Sequence, residues 1–166
     1  TLDEAGYVRV IRSKTAKLFE ASARLGAILA KSSATTEEAC ASYGRALGTA
    51  FQVIDDALDY DGNALEMGKN LGDDLREGKV TLPLIVAMQR GTPQQRDTIR
   101  TAIEQGATDT LDTLIAIVKE TGALTATREA AAAEARIAIA ALDGFPDTPH
   151  TATLLQLAAQ LLDRRS

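Results

Sequence analysis

The sequence predicts an all-α fold, and three observations carry that prediction. Ala and Leu are abundant while aromatic residues make up only 4 % and Trp is absent, a composition suited to helices packed closely through small side chains. Apolar residues recur three and four positions apart through one segment after another. No stretch shows a competing alternation of the kind that marks a strand. With 166 residues, 45 % hydrophobic and 25 % charged, the chain is long enough for a single compact domain with a real core.

The elements follow in order. A first helix is expected from about Asp3 to Lys31, with Val8, Ile11, Thr15, Leu18 and Phe19 at helical spacing, continued by Leu25, Ala27 and Leu29. Thr35 with Glu38 three residues later reads as a capping box that opens a second helix. Tyr43, Leu47, Phe51, Ile54 and Leu58 form its apolar stripe. Gly44 and Gly48 within it each weaken the helix by up to about 1 kcal/mol relative to Ala; close approach of a neighbouring helix is the expected compensation. Asp61-Gly62-Asn63 ends this helix, and the polar, glycine-punctuated stretch to Lys79 is a loop with a short helical turn.

A short buried helix is expected at Leu82 to Gln89, with Pro83 in its first turn and Gly91 at its exit. Thr92-Pro93 opens the next, which ends at Gly106; Leu111, Leu114, Ile115 and Val118 mark another, closed by Gly122. The Ala-rich stretch from Thr125 to Leu142 is a long helix that Phe145-Pro146 breaks, and Thr148-Pro149 starts a final amphipathic helix bearing Leu154, Leu155, Leu161 and Leu162.

Composition also excludes. A net charge of −5 leaves no basic stripe for nucleic acid. The single cysteine, Cys40, allows no internal disulfide and fits a reducing compartment. No apolar run reaches eighteen residues and no signal peptide is visible, so the expected localisation is cytoplasmic.

The chemistry concentrates in Phe51-Gln52-Val53-Ile54-Asp55-Asp56-Ala57-Leu58-Asp59-Tyr60. Three carboxylates on an otherwise apolar helix are expected to converge, with Gln52 one turn before Asp55. Two ionised carboxylates roughly 6 Å apart repel by about 3 kcal/mol at an effective dielectric near 20, so a cation is the expected neutraliser. Hard oxygen ligands of this kind suit magnesium, which takes one or two carboxylates plus phosphate oxygens. Lys69 and Lys79, just downstream, are then natural partners for the same phosphate. A calcium loop of the EF-hand type does not fit: counted from Asp59, the glycine comes early at Gly62 and the twelfth position is Asn70 instead of Glu. Asp73 and Asp74 read as structural or lysine-binding acids, His150 as solvent-facing, and Cys40 as an inert packed thiol.

These motifs resemble those of the trans-polyprenyl diphosphate synthase family. The Phe-Gln-x-x-Asp-Asp-x-x-Asp block is similar to its second aspartate-rich motif. Lys14-Thr15-Ala16 resembles its Lys-Thr element, and Gly78-Lys79-Val80-Thr81-Leu82-Pro83 its lysine-bearing loop. The tail from Pro146 to Arg165 is similar to the end of bacterial long-chain synthases. The resemblance covers nearly the whole chain, with one departure: nothing here resembles the first aspartate-rich motif, which normally lies on an earlier helix. The sequence therefore looks like the C-terminal half of a longer enzyme.

The resemblance implies an isoprenoid-synthase-type helical bundle. It also implies extension of an allylic diphosphate by isopentenyl diphosphate units to a long-chain, octaprenyl-like all-trans product used for quinone side chains. Asp55, Asp56 and Asp59 would hold Mg2+, Asp55 as the direct ligand and Asp56 and Asp59 through water or by orienting it; Lys14, Lys69 and Lys79 would bind the diphosphate. Thr15 and Gln52 would face the developing carbocation with their oxygen dipoles, and Phe51 would offer a π face. A homodimer is the implied assembly, and half a site is expected to be inactive alone. Two alternatives stay open: a shorter-chain farnesyl or geranylgeranyl type, and a noncatalytic subunit of a hetero-oligomeric synthase.

Overall fold

A computed structural model describes residues 3–60, 71, 73–75, 77–106 and 110–163, and among them every regular element is a helix. In chain order these are α1 (Glu4–Ile11), a π-helical turn (Arg12–Ala16), α2 (Lys17–Leu29), α3 (Ala34–Leu58), α4 (Leu82–Arg90), α5 (Pro93–Gln105), α6 (Leu111–Glu120), α7 (Ala123–Ala141) and α8 (Pro149–Asp163). Leu71 and residues 73–75 are also helical, as the expected short turn in the loop requires. The described residues fall into two compact units. One is built from the residues through Tyr7 with Asp55–Arg128, the other from Val8–Ile54 with the residues from Glu129 onward.

Local signals account for most helix ends. Asp3 accepts from the amide of Gly6 at 2.7 Å and so caps α1. At the other end of α2, Lys31 adopts φ 54° while its amide reaches the Ile28 carbonyl and that of Ser32 reaches Ala27. That pair of bonds is a Schellman closure with Lys in place of the usual Gly. Thr92 and Gln95 exchange side-chain-to-backbone bonds of 3.2 and 2.9 Å at the start of α5, a complete capping box, and Gly106 ends that helix at φ 59°.

Two expectations are corrected here. The cap of α3 is Ser33, whose hydroxyl accepts from the Thr36 amide at 3.2 Å, whereas the expected box of Thr35 and Glu38 does not form. Glu38 is drawn away by the guanidinium groups of Arg24 and Arg45, at 2.6 and 3.5 Å. The expected first helix is also not uniform, because residues 12–16 widen into a π turn. Leu18 follows that turn and is 71 % exposed, out of the core its spacing assigned it.

In the unit containing Val8–Ile54, the glycines of α3 let it approach the π turn and the start of α2 closely. A Cβ placed on Gly44 would lie 2.4 Å from the Phe19 carbonyl oxygen, and one on Gly48 would lie 2.8 Å from the Ala16 Cα. These contacts are with backbone, so no side chain can swing aside. The same unit buries Tyr43, Ala46, Ala138, Leu142 and Ala158 together, and the Tyr43 hydroxyl donates to the Leu154 carbonyl at 2.8 Å, tying α3 to α8. In the other unit α4 is apolar on all sides, Leu82 to Ala87 being buried throughout. Such a helix belongs at the centre of its layer, and α5 and α6 both pack on it.

Candidate active site

The last turn of α3 carries the acidic residues. The Asp59 amide still bonds to the Asp55 carbonyl at 3.2 Å, so the helical turn continues through Asp59 and these two side chains lie one turn apart on one face. Both are half-buried. Asp56 differs. Adjacent helical positions are rotated by about 100°, and Asp56 faces inward, 1 % exposed, where the buried Tyr7 hydroxyl donates to its Oδ2. Of the three carboxylates, Asp56 is thus the buried one, while Asp55 and Asp59 are half-buried.

Lys79 joins this cluster from the loop before α4. Its Nζ lies 3.1 Å from both oxygens of Asp74 and 3.9 Å from Asp56 Oδ1. Coulomb attraction at that last distance is about 4 kcal/mol at an effective dielectric near 20, reduced by the water that reaches the lysine. Burial of a lone carboxylate costs several kcal/mol, so the ammonium alone does not offset it; a charge-assisted bond such as that from Tyr7 contributes about 1.5–3 kcal/mol more. Burial pushes the Lys79 pKa down, but Asp56, Asp74 and Asp59 outweigh it and the net shift is upward. Burial, reinforced by the Asp56 charge, raises the Tyr7 phenol far above its ordinary range, so Tyr7 stays a donor. Tyr60 is buried beside these acids with its pKa raised by burial.

The Lys-Thr element occupies the π turn. Lys14 is exposed and Thr15 half-buried, and Thr15 Oγ1 donates to Gln52 Oε1 at 3.1 Å. A π turn inserts one residue into the helical repeat, and such turns occur frequently at functional sites. Nothing in the periodicity of residues 8–19 signals it. Phe51, 37 % exposed, has its ring centroid 6.0 Å from that of Phe19. The two rings, with Leu47, Leu157 and Leu161, line an apolar cleft of about 420 Å³. Lys69 lies outside the described residues, and Asp74 takes up the lysine-binding role expected of it.

Sequence patterns of known proteins decide what these parts belong to. The polyprenyl synthetase family pattern matches residues 1–120. The chain belongs to the polyprenyl synthetase family. This family member is 51 % identical over 158 residues to the octaprenyl diphosphate synthase of Escherichia coli (strain K12), covering 95 % of this chain and 49 % of that protein. It is 43 % identical to an all-trans-nonaprenyl-diphosphate synthase of Rhodobacter capsulatus, over 95 % of this chain and 48 % of that one. A polyprenyl synthase from Caulobacter crescentus, solved with calcium and isoprenyl diphosphate, superposes with a TM-score of 0.89 at 40 % identity, over 100 % of this chain and 51 % of that one. The fold is thus the all-α isoprenoid synthase fold, and the chain spans about half the length of the curated relatives it matches. No helix among the described residues is long and apolar enough to cross a membrane.

Among the described residues no three acidic, His or Cys side chains gather closely enough to cage a metal ion. A magnesium site does not need such a cage, since one or two carboxylates with phosphate oxygens suffice. Asp55 and Asp59, two half-buried carboxylates one turn apart, fit that requirement as a donor set. Asp56 is buried and accepts the Tyr7 hydroxyl at Oδ2.

Proposed function

We propose that this chain supplies the allylic-diphosphate side of a magnesium-dependent trans-prenyltransferase, which extends an allylic diphosphate with isopentenyl diphosphate to an octaprenyl-type product. The observation that carries the reading is that one unit of the fold holds the half-buried Asp55 and Asp59, one helical turn apart, together with the Lys79 ammonium, which lies 3.9 Å from their neighbour Asp56. Carboxylates for a divalent cation beside a cation for phosphate form a donor set for a metal diphosphate. The 51 % identity to an octaprenyl diphosphate synthase supports the long-chain product over a shorter one.

Asp55 and Asp59 would hold Mg2+, which when bound offsets the charge of a departing diphosphate. Lys79 would bind the same oxygens as a point charge, and the motif positions of Lys14 and Lys69 would give them a diphosphate-binding role as well. The allylic C–O bond breaks with its electron pair leaving on the diphosphate; the double bond of isopentenyl diphosphate then attacks the allylic cation, and the proton lost from the new cation passes to the released diphosphate. Oxygen dipoles already fixed in place stabilise such a cation without reorganising. Thr15 donates its hydroxyl hydrogen to Gln52 and so keeps its lone pairs available, while Phe51 offers its ring face.

Assembly as a homodimer is part of this reading. Leu18, Leu25, Ile28 and Leu29 stand exposed along α2, with Leu29 at 74 %, an apolar row of the kind that marks an interaction surface.

The intact protein, incubated with an allylic diphosphate, labelled isopentenyl diphosphate and magnesium, should yield octaprenyl diphosphate as the dominant product. Farnesyl or geranylgeranyl diphosphate as the end product would give the shorter-chain reading, and no condensation at all the noncatalytic one.

A further inference from the structure

We propose that Tyr7 is a positioning residue for diphosphate binding: its hydroxyl fixes buried Asp56, Asp56 fixes the Lys79 ammonium, and Asp56 is thereby an internal counter-ion and not a ligand of the divalent cation. The inference rests on the prenyltransferase reading, which makes Lys79 a diphosphate-binding residue, and goes beyond it by removing Asp56 from the metal set.

The geometry has three parts. Asp56 is almost wholly buried, and Tyr7, itself 3 % exposed, donates to Oδ2 from a position 49 residues away in the chain. The other oxygen, Oδ1, faces Lys79 Nζ at 3.9 Å. With one oxygen accepting from Tyr7 and the other facing Lys79, the carboxylate is restrained, and Tyr7 helps to fix the position of its negative charge. Lys79, in contrast, keeps 41 % of its side chain exposed. Its stem is flexible, and with Asp74 holding it at 3.1 Å, Asp56 supplies the second anchor that fixes the ammonium. A point charge placed in advance binds a phosphate with less ordering cost. An ammonium tethered only to the half-buried Asp74 would have a single anchor.

Calorimetric titration of the intact protein with inorganic pyrophosphate in excess magnesium tests this through a double-mutant cycle of Tyr7→Phe and Lys79→Ala. Tyr7→Phe keeps the ring and removes only the hydroxyl. It should weaken pyrophosphate binding about five- to tenfold in the wild-type background and leave it unchanged in the Lys79→Ala background. An unchanged affinity in Tyr7→Phe alone, or an equal loss in both backgrounds, overturns the proposal, the latter because it would mark a merely structural tyrosine. If Tyr7→Phe does not fold, Asp56→Asn takes its place in the same cycle with the same expectation. As a second readout, the magnesium concentration giving half-maximal pyrophosphate binding should stay within about twofold of wild type in Asp56→Asn and rise about tenfold or more in Asp55→Asn. An equal rise in both makes Asp56 a ligand and overturns the proposal. Wild-type protein that binds no pyrophosphate would instead remove the prenyltransferase reading, an outcome these variants cannot mimic.

Discussion

The Thr15 hydroxyl donates to the Gln52 side-chain oxygen across 3.1 Å, from the π turn of the Lys-Thr element to α3. Thr15→Val keeps the shape and removes the hydroxyl. In the intact protein it should lower turnover about tenfold, equivalent to about 1.4 kcal/mol of barrier, with a melting-temperature change of only a few degrees. Wild-type turnover in Thr15→Val would take the hydroxyl out of the reaction.

Glycines 44 and 26 should respond oppositely to alanine. At Gly44 the new Cβ meets the Phe19 backbone oxygen at 2.4 Å, whereas at Gly26 nothing lies within 4 Å. Gly44→Ala should therefore destabilise by about 1–3 kcal/mol through overpacking. Gly26→Ala should stabilise by about 0.4–1 kcal/mol, because it lowers the entropy of the unfolded chain. Denaturant melts of both variants check the pair, and equal effects would contradict the close packing of α2 on α3.

Alkaline pH should destabilise the fold through its buried tyrosines. Burial pushes the Tyr43 phenol from 10.0 up to about 12. The unfolded state releases its proton first, so Tyr43 contributes its full stability below about pH 10 and loses it as pH rises toward 12. Tyr7 and Tyr60 are shifted in the same direction. Urea melts from pH 9 upward should show falling stability, with a shallower fall in Tyr43→Phe. An identical slope in that variant would mean Tyr43 is not buried as described.

The apolar row on α2 gives a test of assembly. Leu18→Glu with Leu25→Glu changes two exposed side chains, so folding should persist while the sedimenting species halves in mass. A dimer that survives the double substitution would place the interface elsewhere.

Helix boundaries were largely legible in the sequence because they depend on local chemistry. Pro93 and Gly106, or Pro149, act within one turn of themselves, and α5 and α8 begin where those residues indicate. The cap of α3 was misread, since Thr35 with Glu38 satisfies the local pattern while Arg24 and Arg45 compete for Glu38 from outside it. The π turn was invisible for a related reason: apolar spacing averages over several turns and does not register one inserted residue. In the candidate site the residue types were legible but their division was not. Sequence places Asp55, Asp56 and Asp59 within one turn; only the fold brings Tyr7, distant in the chain, against the middle one.

Magnesium-dependent turnover of Asp55→Ala in the intact protein tests the central claim most directly. Loss of turnover by orders of magnitude, with an unchanged far-ultraviolet circular dichroism spectrum, is the predicted result. Near-normal turnover in that variant would contradict the assignment of the outward aspartates to the metal diphosphate.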